Sequence, residues 1–404
     1  MTANLLEDVS VDSSALSLNC FAVEHSITQE KDKWILSFST GRHFIVNDNA
    51  LSLLNILKQS ATVDDAYQTF ILKKDNEATS YDDFVSVTKH LINKFKSNQN
   101  TYHQTYLKLK LSLIKKDNIK FFTAPFMALF SLQTFYFLFI LSFVFNIFSV
   151  WEMFNKNFEI DLFSNFEVIV SGLFLATFLH EIGHMTACRK HGASHGDMGV
   201  GFYFIFPVAY ADVTGIWALT KGKRIQVNLS GIYLELLLVS CFFVFSVFFP
   251  SIVYACVFIM FRIIYTIIPF FRSDGYWLLS DFISEPNLQK KSIDALKSFL
   301  NKKETSSYSK KYLFLILYGF LSIIYFPVFI FYIAFNYTNT LISTPYIIQD
   351  IIARLFNKED VLNLLTYELF IAIVFYVLLI SKVLPAFITK LKLRYKNNWK
   401  LNQW

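Results

Sequence analysis

The segment "FLHEIGHM" sets His180, Glu181 and His184 at the spacing H-E-x-x-H. On a helix, residues i and i+4 share one face, so both imidazoles can reach one divalent ion such as Zn²⁺. Glu181, one residue on from His180, can touch a water at that ion and serve as general base. The bland alternative is a helix end with two solvated histidines. An apolar helix, however, does not carry two histidines and a glutamate without a use for them.

A catalytic zinc needs a third protein ligand and one open position. The downstream stretch "IIPFFRSDGYWLLSDF" offers Asp274, with Gly275 beside it to let the backbone turn tightly. Asp281 and Glu285 are rival carboxylates, expected on a solvated basic surface. His191 and His195 follow the motif closely and are expected in a loop at the membrane surface, with a gating or ligand role as the alternative. The four cysteines, Cys20, Cys188, Cys241 and Cys256, have no C-x-x-C spacing, which argues against a thiolate site or a disulfide framework.

These residues lie in an apolar chain. Of its 404 residues 54% are hydrophobic, 18% aromatic and only 17% charged, against about 25% charged in soluble domains. Six apolar runs are long enough to cross a bilayer, near 121–149, 166–187, 227–249, 251–271, 312–336 and 364–386. The net charge of +6 is spread over lysines and arginines that flank those runs, which is the pattern of positive-inside loops rather than a nucleic-acid footprint. With the N-terminus cytosolic, the Lys/Arg-rich segments 100–120, 189–224, 272–311 and the C-terminal tail all fall on one side. Segments 151–165, the Pro250 turn and 337–361 fall on the other. Both termini are then inside, and His180, His184 and Asp274 reach similar depth near the cytosolic face. The start, "MTANLLEDVSVDSS", has no basic n-region before an apolar core, so no cleavable signal peptide is expected.

The first hundred residues have ordinary polarity. "FAVEH", "KWILSFS" and "HFIVN" read as strands. Helices are expected after Asn47 and Asp48, after Thr62, and after Ser80, where Asp83 sits at capping-box spacing. This predicts a small α+β, winged-helix-like module over 1–100, a basic linker over 101–120, a membrane domain over 121–390 and a basic tail over 391–404. The apolar stretch "GVGFYFIFPVAYADV" is too short to span and reads either as a re-entrant strand pair or as an interfacial loop held by Phe and Tyr anchors. Two charges sit deep in apolar runs. Glu235 lies fifteen residues before Pro250 and Arg262 twelve after it, so antiparallel helices turning at Pro250 bring them to one depth and predict a pair.

The stretches "HEIGHMTACRKHGA", "MGVGFYFIFPVAYADVTGIWALTKGKRIQVNLSGIYLELL" and "PFFRSDGYWLLSDFISEPNLQKKS" resemble the site-2 protease family of intramembrane zinc metalloproteases, and bacterial members of the peptide zinc metalloprotease type most of all. The resemblance covers roughly 166–295. It implies an all-α polytopic membrane bundle of about six helices with a re-entrant β segment. It also implies zinc held by His180, His184 and Asp274, Glu181 as base, and residence in a bacterial inner membrane. Two positions depart from the family pattern. Thr266 stands where the N-x-x-P-x-x-x-x-D-G stretch has Asn, and Glu235 stands where the G-P-x-x-N stretch ends in Asn. Candidate substrate contacts are Gly199, Gly201, Tyr203, Asp212, Asn228, Glu235 and Thr266. The N-terminal segment "GRHFIVNDNALSLLNILKQSATVDDAYQTF" resembles PqqD-like recognition elements, which bind leader peptides of ribosomally made natural products. The substrate is then a precursor peptide trimmed during maturation. Regulated cleavage of a single-span signalling protein is the second reading, and a non-catalytic peptide export or binding protein the third.

Overall fold

The structure, a computed structural model, describes residues 25–30, 33–38, 43–74, 80–96, 107–155, 165–203, 206–301 and 309–357, a helix at Glu368–Val377, and scattered positions between 359 and 380. The chain divides into two compact units, before and after the step from Ser284 to Glu285.

The first unit begins with an antiparallel sheet of β1 (His25–Glu30), β2 (Lys33–Phe38) and β3 (His43–Val46), with β2 in the middle. The first strand lies just beyond the expected "FAVEH", whose residues 21–24 are outside the described residues. Helices α1 (Asp48–Gln59), α2 (Val63–Lys74) and α3 (Tyr81–Lys96) follow, each starting where its capping residue predicts. The Asn47 side chain accepts from the Ala50 amide at 2.9 Å, and Thr62 accepts from Asp65 at 3.1 Å. Ser80 and Asp83 form the reciprocal start of α3: the hydroxyl donates to the carboxylate at 2.8 Å and accepts the Asp83 amide at 3.2 Å. Leu36, Leu53, Leu57, Val63, Ala66 and Phe84 close a core between sheet and helices.

Within the stretch expected to be a linker, residues 107–114 form a strand. In β4 (Leu107–Ile114), the run L-K-L-K-L-S-L-I has the alternation of a strand, and it pairs with β5 (Met198–Tyr203), which pairs with β6 (Phe206–Ala211). Asp197 fixes this join, accepting from the Ser112 hydroxyl at 2.9 Å and from the Lys116 amide at 2.8 Å. The expected strand pair is therefore present, as part of a three-stranded sheet. Among the described residues, four helices are long and apolar enough to cross a membrane: α5 (Leu132–Asn155), α6 (Phe166–Lys190), α7 (Lys221–Phe245) and, in the second unit, α11 (Lys310–Asn336).

The six expected spans thus reduce to four candidates among the described residues. The run near 121–149 is divided: α4 (Ile119–Thr123) and a 3₁₀ turn over Ala124–Phe130 precede α5, with Pro125 at the start of that turn. The run near 251–271 gives α8 (Ile252–Ile267), whose 16 residues reach about 24 Å, short of a hydrocarbon core of about 30 Å. Of the last run, near 364–386, the described part holds α13 (Glu368–Val377), and residues 381–386 lie outside the described residues.

Helix α7 is the centre of the first unit. Of its most apolar window 56% is buried, against 17% in α5, and α5, α6, α8 and α9 (Asp274–Ile283) all pack on it. Small residues allow the close crossings, as in membrane bundles generally. A Cβ on Gly183 would strike the Ser230 carbonyl, and one on Gly172 would strike Ala255. A polar tie supports the α5 contact: Asn146 donates to the Leu236 carbonyl at 2.9 Å and accepts from Ser240 at 3.1 Å. Large apolar side chains on the outer faces of α5 and α6, such as Phe137, Phe148 and Phe174, are exposed, which suits lipid rather than water as their surroundings.

In the second unit α10 (Leu288–Leu300) packs on α11, with Gly319 close against the Ser292 carbonyl. Segment 337–361, expected as a loop, contains α12 (Thr338–Asn357). A small core of Ile333, Leu341, Ala372 and Phe375 joins α11, α12 and α13, and the Tyr376 hydroxyl donates to the Leu341 carbonyl at 2.8 Å.

Candidate metal centre

Helix α6 runs unbroken from Phe166 to Lys190, so the helical spacing read from the sequence holds and His180 and His184 face the same way. Their Nε2 atoms are 3.1 Å apart. Asp274, at the first position of α9, directs Oδ2 between them, 2.9 Å from His180 Nε2 and 3.2 Å from His184 Nε2. The backbone reaches this point by folding back on the end of α8, where Gly275 lies so close that any Cβ would strike the Ile267 carbonyl. Gly275 is therefore required by close approach, with an ordinary backbone conformation rather than a left-handed one.

Three donor atoms at mutual distances near 3 Å fit one tetrahedral ion, since bonds of about 2.0–2.1 Å separate neighbouring ligands by about 3.3 Å. The rest of each imidazole agrees. A metal-binding histidine gives its other nitrogen to a carboxylate or carbonyl, which fixes the tautomer. His184 Nδ1 is 2.8 Å from the Val227 carbonyl oxygen, and His180 Nδ1 is 3.2 Å from Glu235 Oε1. Hydrogen bonding alone leaves the site unsatisfied: Asp274 Oδ2 is buried and no donor is aligned on it. Burial by itself would raise the pKa of the Asp274 carboxyl, but the facing His184 and His180 outweigh it and hold the group well below the usual carboxylate range. The cluster therefore presents an anion and two imidazole nitrogens to one point, and its members are the donor set that could hold a metal ion. Glu181 lies close enough to His180, His184, Asp274 and Arg262 for their charges to act on it.

The other candidates sort by position. His191 Nε2 is 2.9 Å from Gln226 Oε1, and His195 Nδ1 is 3.1 Å from the Gly196 carbonyl, so neither joins the cluster. Burial, with Lys223 and Lys190 nearby, lowers the pKa of His191 despite its bond to Gln226. Asp281 is 5% exposed and lies on no solvated surface. It accepts from Arg224 Nε at 2.6 Å and from Asn228 Nδ2 at 2.8 Å. Asn228 is thus bonded inside the bundle, between α7 and α9. Glu285 is buried as well and pairs with Lys291 and Lys311.

Gly199 and Gly201 lie in β5, opposite Tyr210 and Val208, and a Cβ on Gly199 would strike the Leu111 carbonyl of β4. Tyr203 ends β5, and its side chain is outside the described residues. Asp212 caps the turn after β6, accepting from the Thr214 amide at 3.2 Å and its hydroxyl at 2.9 Å. Thr266 donates to the Arg262 carbonyl at 2.9 Å, within its own helix. Glu235 and Arg262 form the expected ion pair, with Glu235 fully buried.

Two contributions were not foreseen. Gly231, one helical turn before Glu235, faces the His180 ring, and a Cβ there would come within 2.6 Å of it. The second is the Arg224–Asp281–Asn228 clamp. Asp281 lies two turns after Asp274, and its partners stand more than fifty residues upstream, so no local pattern announces the clamp.

The chain is similar to a protein of Bacillus subtilis (strain 168) named "Putative peptide zinc metalloprotease protein YydH", 27% identical over 121 residues. That stretch is 29% of this chain and 48% of the relative, so the match spans about half of the relative's length. No family model matches the chain, and no solved structure matches it.

Proposed function

We propose that the chain is a membrane-embedded zinc metalloprotease of the site-2 type, which hydrolyses a peptide bond in a peptide or membrane-associated substrate. The observation that carries this reading is the meeting of His180 Nε2, His184 Nε2 and Asp274 Oδ2 at 2.9–3.2 Å, with Glu181 beside them. The name of the Bacillus subtilis relative and the four long apolar helices support it.

In this reading His180, His184 and Asp274 hold the ion. Zinc at that point supplies a Lewis acid that acidifies water and polarises a carbonyl. Glu181 takes a proton from the attacking water and returns it to the leaving amine. The apolar walls of α6, α7 and α8 exclude lipid-side competitors and strengthen these charges. Peptide bonds inside helices are shielded, so the substrate enters as an extended segment. The outer edge of β6, which no described strand covers, is the proposed rail for it, with Gly199, Gly201, Tyr203, Asp212 and Thr266 as the candidate neighbourhood. The N-terminal sheet and its three helices are the proposed recognition module for a leader peptide, and the resulting cleavage is maturation of a ribosomally made peptide at a bacterial inner membrane.

The test is metal content and proteolysis on detergent-purified protein. The full chain is expected to hold about one Zn²⁺, as a three-ligand site requires, and to cleave members of an extended-peptide library followed by mass spectrometry. Glu181→Gln is expected to keep the zinc and lose about 10²–10⁴-fold in rate, the usual contribution of a general base. A wild-type protein without zinc, or a Glu181→Gln protein that cleaves at the wild-type rate, rejects the reading.

A further inference from the structure

Glu235 is fully buried in the central helix of the first unit, and general acid–base work by Glu181 leaves it without a role. Its Oε1 faces two groups, with a hydrogen bond aligned to neither. Arg262 of α8 forms an ion pair with it, and His180 Nδ1 lies 3.2 Å away. His180 Nδ1 has no aligned hydrogen-bond partner among the described residues, nor has either Glu235 oxygen. On the side of the ring away from Asp274, the carboxylate that faces His180 Nδ1 is that of Glu235, at 3.2 Å. The backbone prepares this approach. Gly231 lies at i−4 from Glu235 on the same face of α7, and its bare Cα lets the His180 ring lie against the helix. Val227, a further turn back, offers its carbonyl to His184 Nδ1 at 2.8 Å. Positions 227, 231 and 235 thus form one stripe on α7 that meets both histidines of α6.

We infer that Glu235 is a positioning residue for the metal site, which orients His180 so that Nε2 is the nitrogen offered to the metal, with Arg262 as its counter-charge. A carboxylate behind a metal-binding imidazole fixes ring and tautomer and strengthens the ligand. Full burial separates Glu235 from any substrate, so its effect passes through His180. The inference rests on the zinc reading above and assigns a second layer to the same site.

The alternative is that Glu235 only neutralises Arg262, and variants of both separate the two roles. Zn²⁺ affinity is measured by chelator competition on the full-length protein in detergent, together with thermal unfolding of the metal-free form and the visible spectrum of the Co²⁺-loaded form. Glu235→Ala is expected to weaken Zn²⁺ binding about 10–100-fold and to change the Co²⁺ spectrum. It also strands Arg262 and lowers thermal stability. The double variant Glu235→Ala/Arg262→Met removes the stranded charge and is expected to regain stability while zinc binding stays weak. Glu235→Gln, which retains an acceptor for His180 Nδ1, is expected to recover part of the affinity. Return of wild-type affinity and spectrum in the double variant overturns the inference and leaves Glu235 as a counter-ion. Undiminished affinity in Glu235→Ala does the same. Absence of zinc from the wild-type protein rejects the metalloprotease reading itself, a result distinct from both.

Discussion

His184 Nδ1 meets a backbone carbonyl, which no side-chain substitution can remove, whereas His180 Nδ1 faces the Glu235 side chain at 3.2 Å and its ring lies against a glycine. The two candidate ligands therefore differ in how easily they are disturbed. Gly231→Ala places a methyl within 2.6 Å of the His180 ring, and the ring must turn or the helices must part. Such overpacking costs about 1–3 kcal/mol, and here the loss is expected mainly in zinc affinity, because the ring is easier to move than the α6–α7 crossing. Equilibrium dialysis against Zn²⁺ with a thermal melt of the metal-free protein separates the two losses; an unchanged affinity means the ring has room that the geometry denies. Asp274→Ala is expected to empty the site, and full occupancy in that variant removes Asp274 from the ligand set. The histidines were legible because H-E-x-x-H is a local pattern that a helix turns into geometry without further information. Asp274, ninety residues later, was legible through its D-G context and its place at the end of an apolar run. Gly231 was not, since its meaning depends on which helix crosses α7 at that point.

Helix α9 carries Asp274 at its first residue and is anchored by Asp281 two turns along. Arg224 and Asn228 of α7 both bond that carboxylate, and Lys221 donates to the Phe282 carbonyl at 2.6 Å. The clamp thus fixes the element that delivers the third donor. Asp281→Ala takes the carboxylate from the Asn228 amide and from the buried Arg224 guanidinium, which keeps the Leu219 carbonyl at 2.9 Å, and breaking a buried pair from one side costs about 3–5 kcal/mol. A fall in thermal stability of that order is expected, together with weaker zinc binding as α9 loosens. Full zinc affinity in a destabilised variant would mean that Asp274 is held by the α8–α9 turn alone. Sequence placed Asp281 on a solvated loop because the Lys/Arg-rich segment around it reads as surface. Its two partners lie more than fifty residues upstream, beyond the reach of local pattern. The strand β4 is the opposite case: its alternation of Leu with Lys was in plain view, and the positive charge drew attention to a loop instead.

At the scale of the molecule, the N-terminal sheet and helices have their own core, in which Leu36, Leu57 and Phe84 are buried together. A fragment spanning residues 1–100 is therefore expected to fold alone and, as a recognition module, to bind a cognate leader peptide by strand addition at an outer strand of its sheet. Deleting it should then spare cleavage of short substrates that lack the leader. Equal loss on leaderless and full-length substrates would make it a packing element of the membrane domain.

Orientation across the membrane is the larger question, and α11 allows it to be tested within one unit. This helix has 27 residues, about 40 Å, and a mean hydropathy of 2.4 in its most apolar window, which is enough to cross a hydrocarbon core of about 30 Å once. Lys310 and Lys311 mark its first turn, whereas its last turn is uncharged. The positive-inside tendency places the lysine end in the cytosol and Thr338 on the far side. Helix α12 contains Leu341, in the small core with Ile333, and follows α11 after a single residue, so it begins on that far side. In a background without the four native cysteines, a membrane-impermeant thiol reagent added to intact cells is expected to label a cysteine at an exposed α12 position such as Tyr346. A cysteine at Lys290, which precedes α11 in the chain, is expected to react after the cells are opened. The reverse pattern inverts α11, and the charge rule then fails for this chain. Labelling at both positions from outside means that α11 does not cross at all, and its exposed Phe331 and Phe335 would lie along the surface instead.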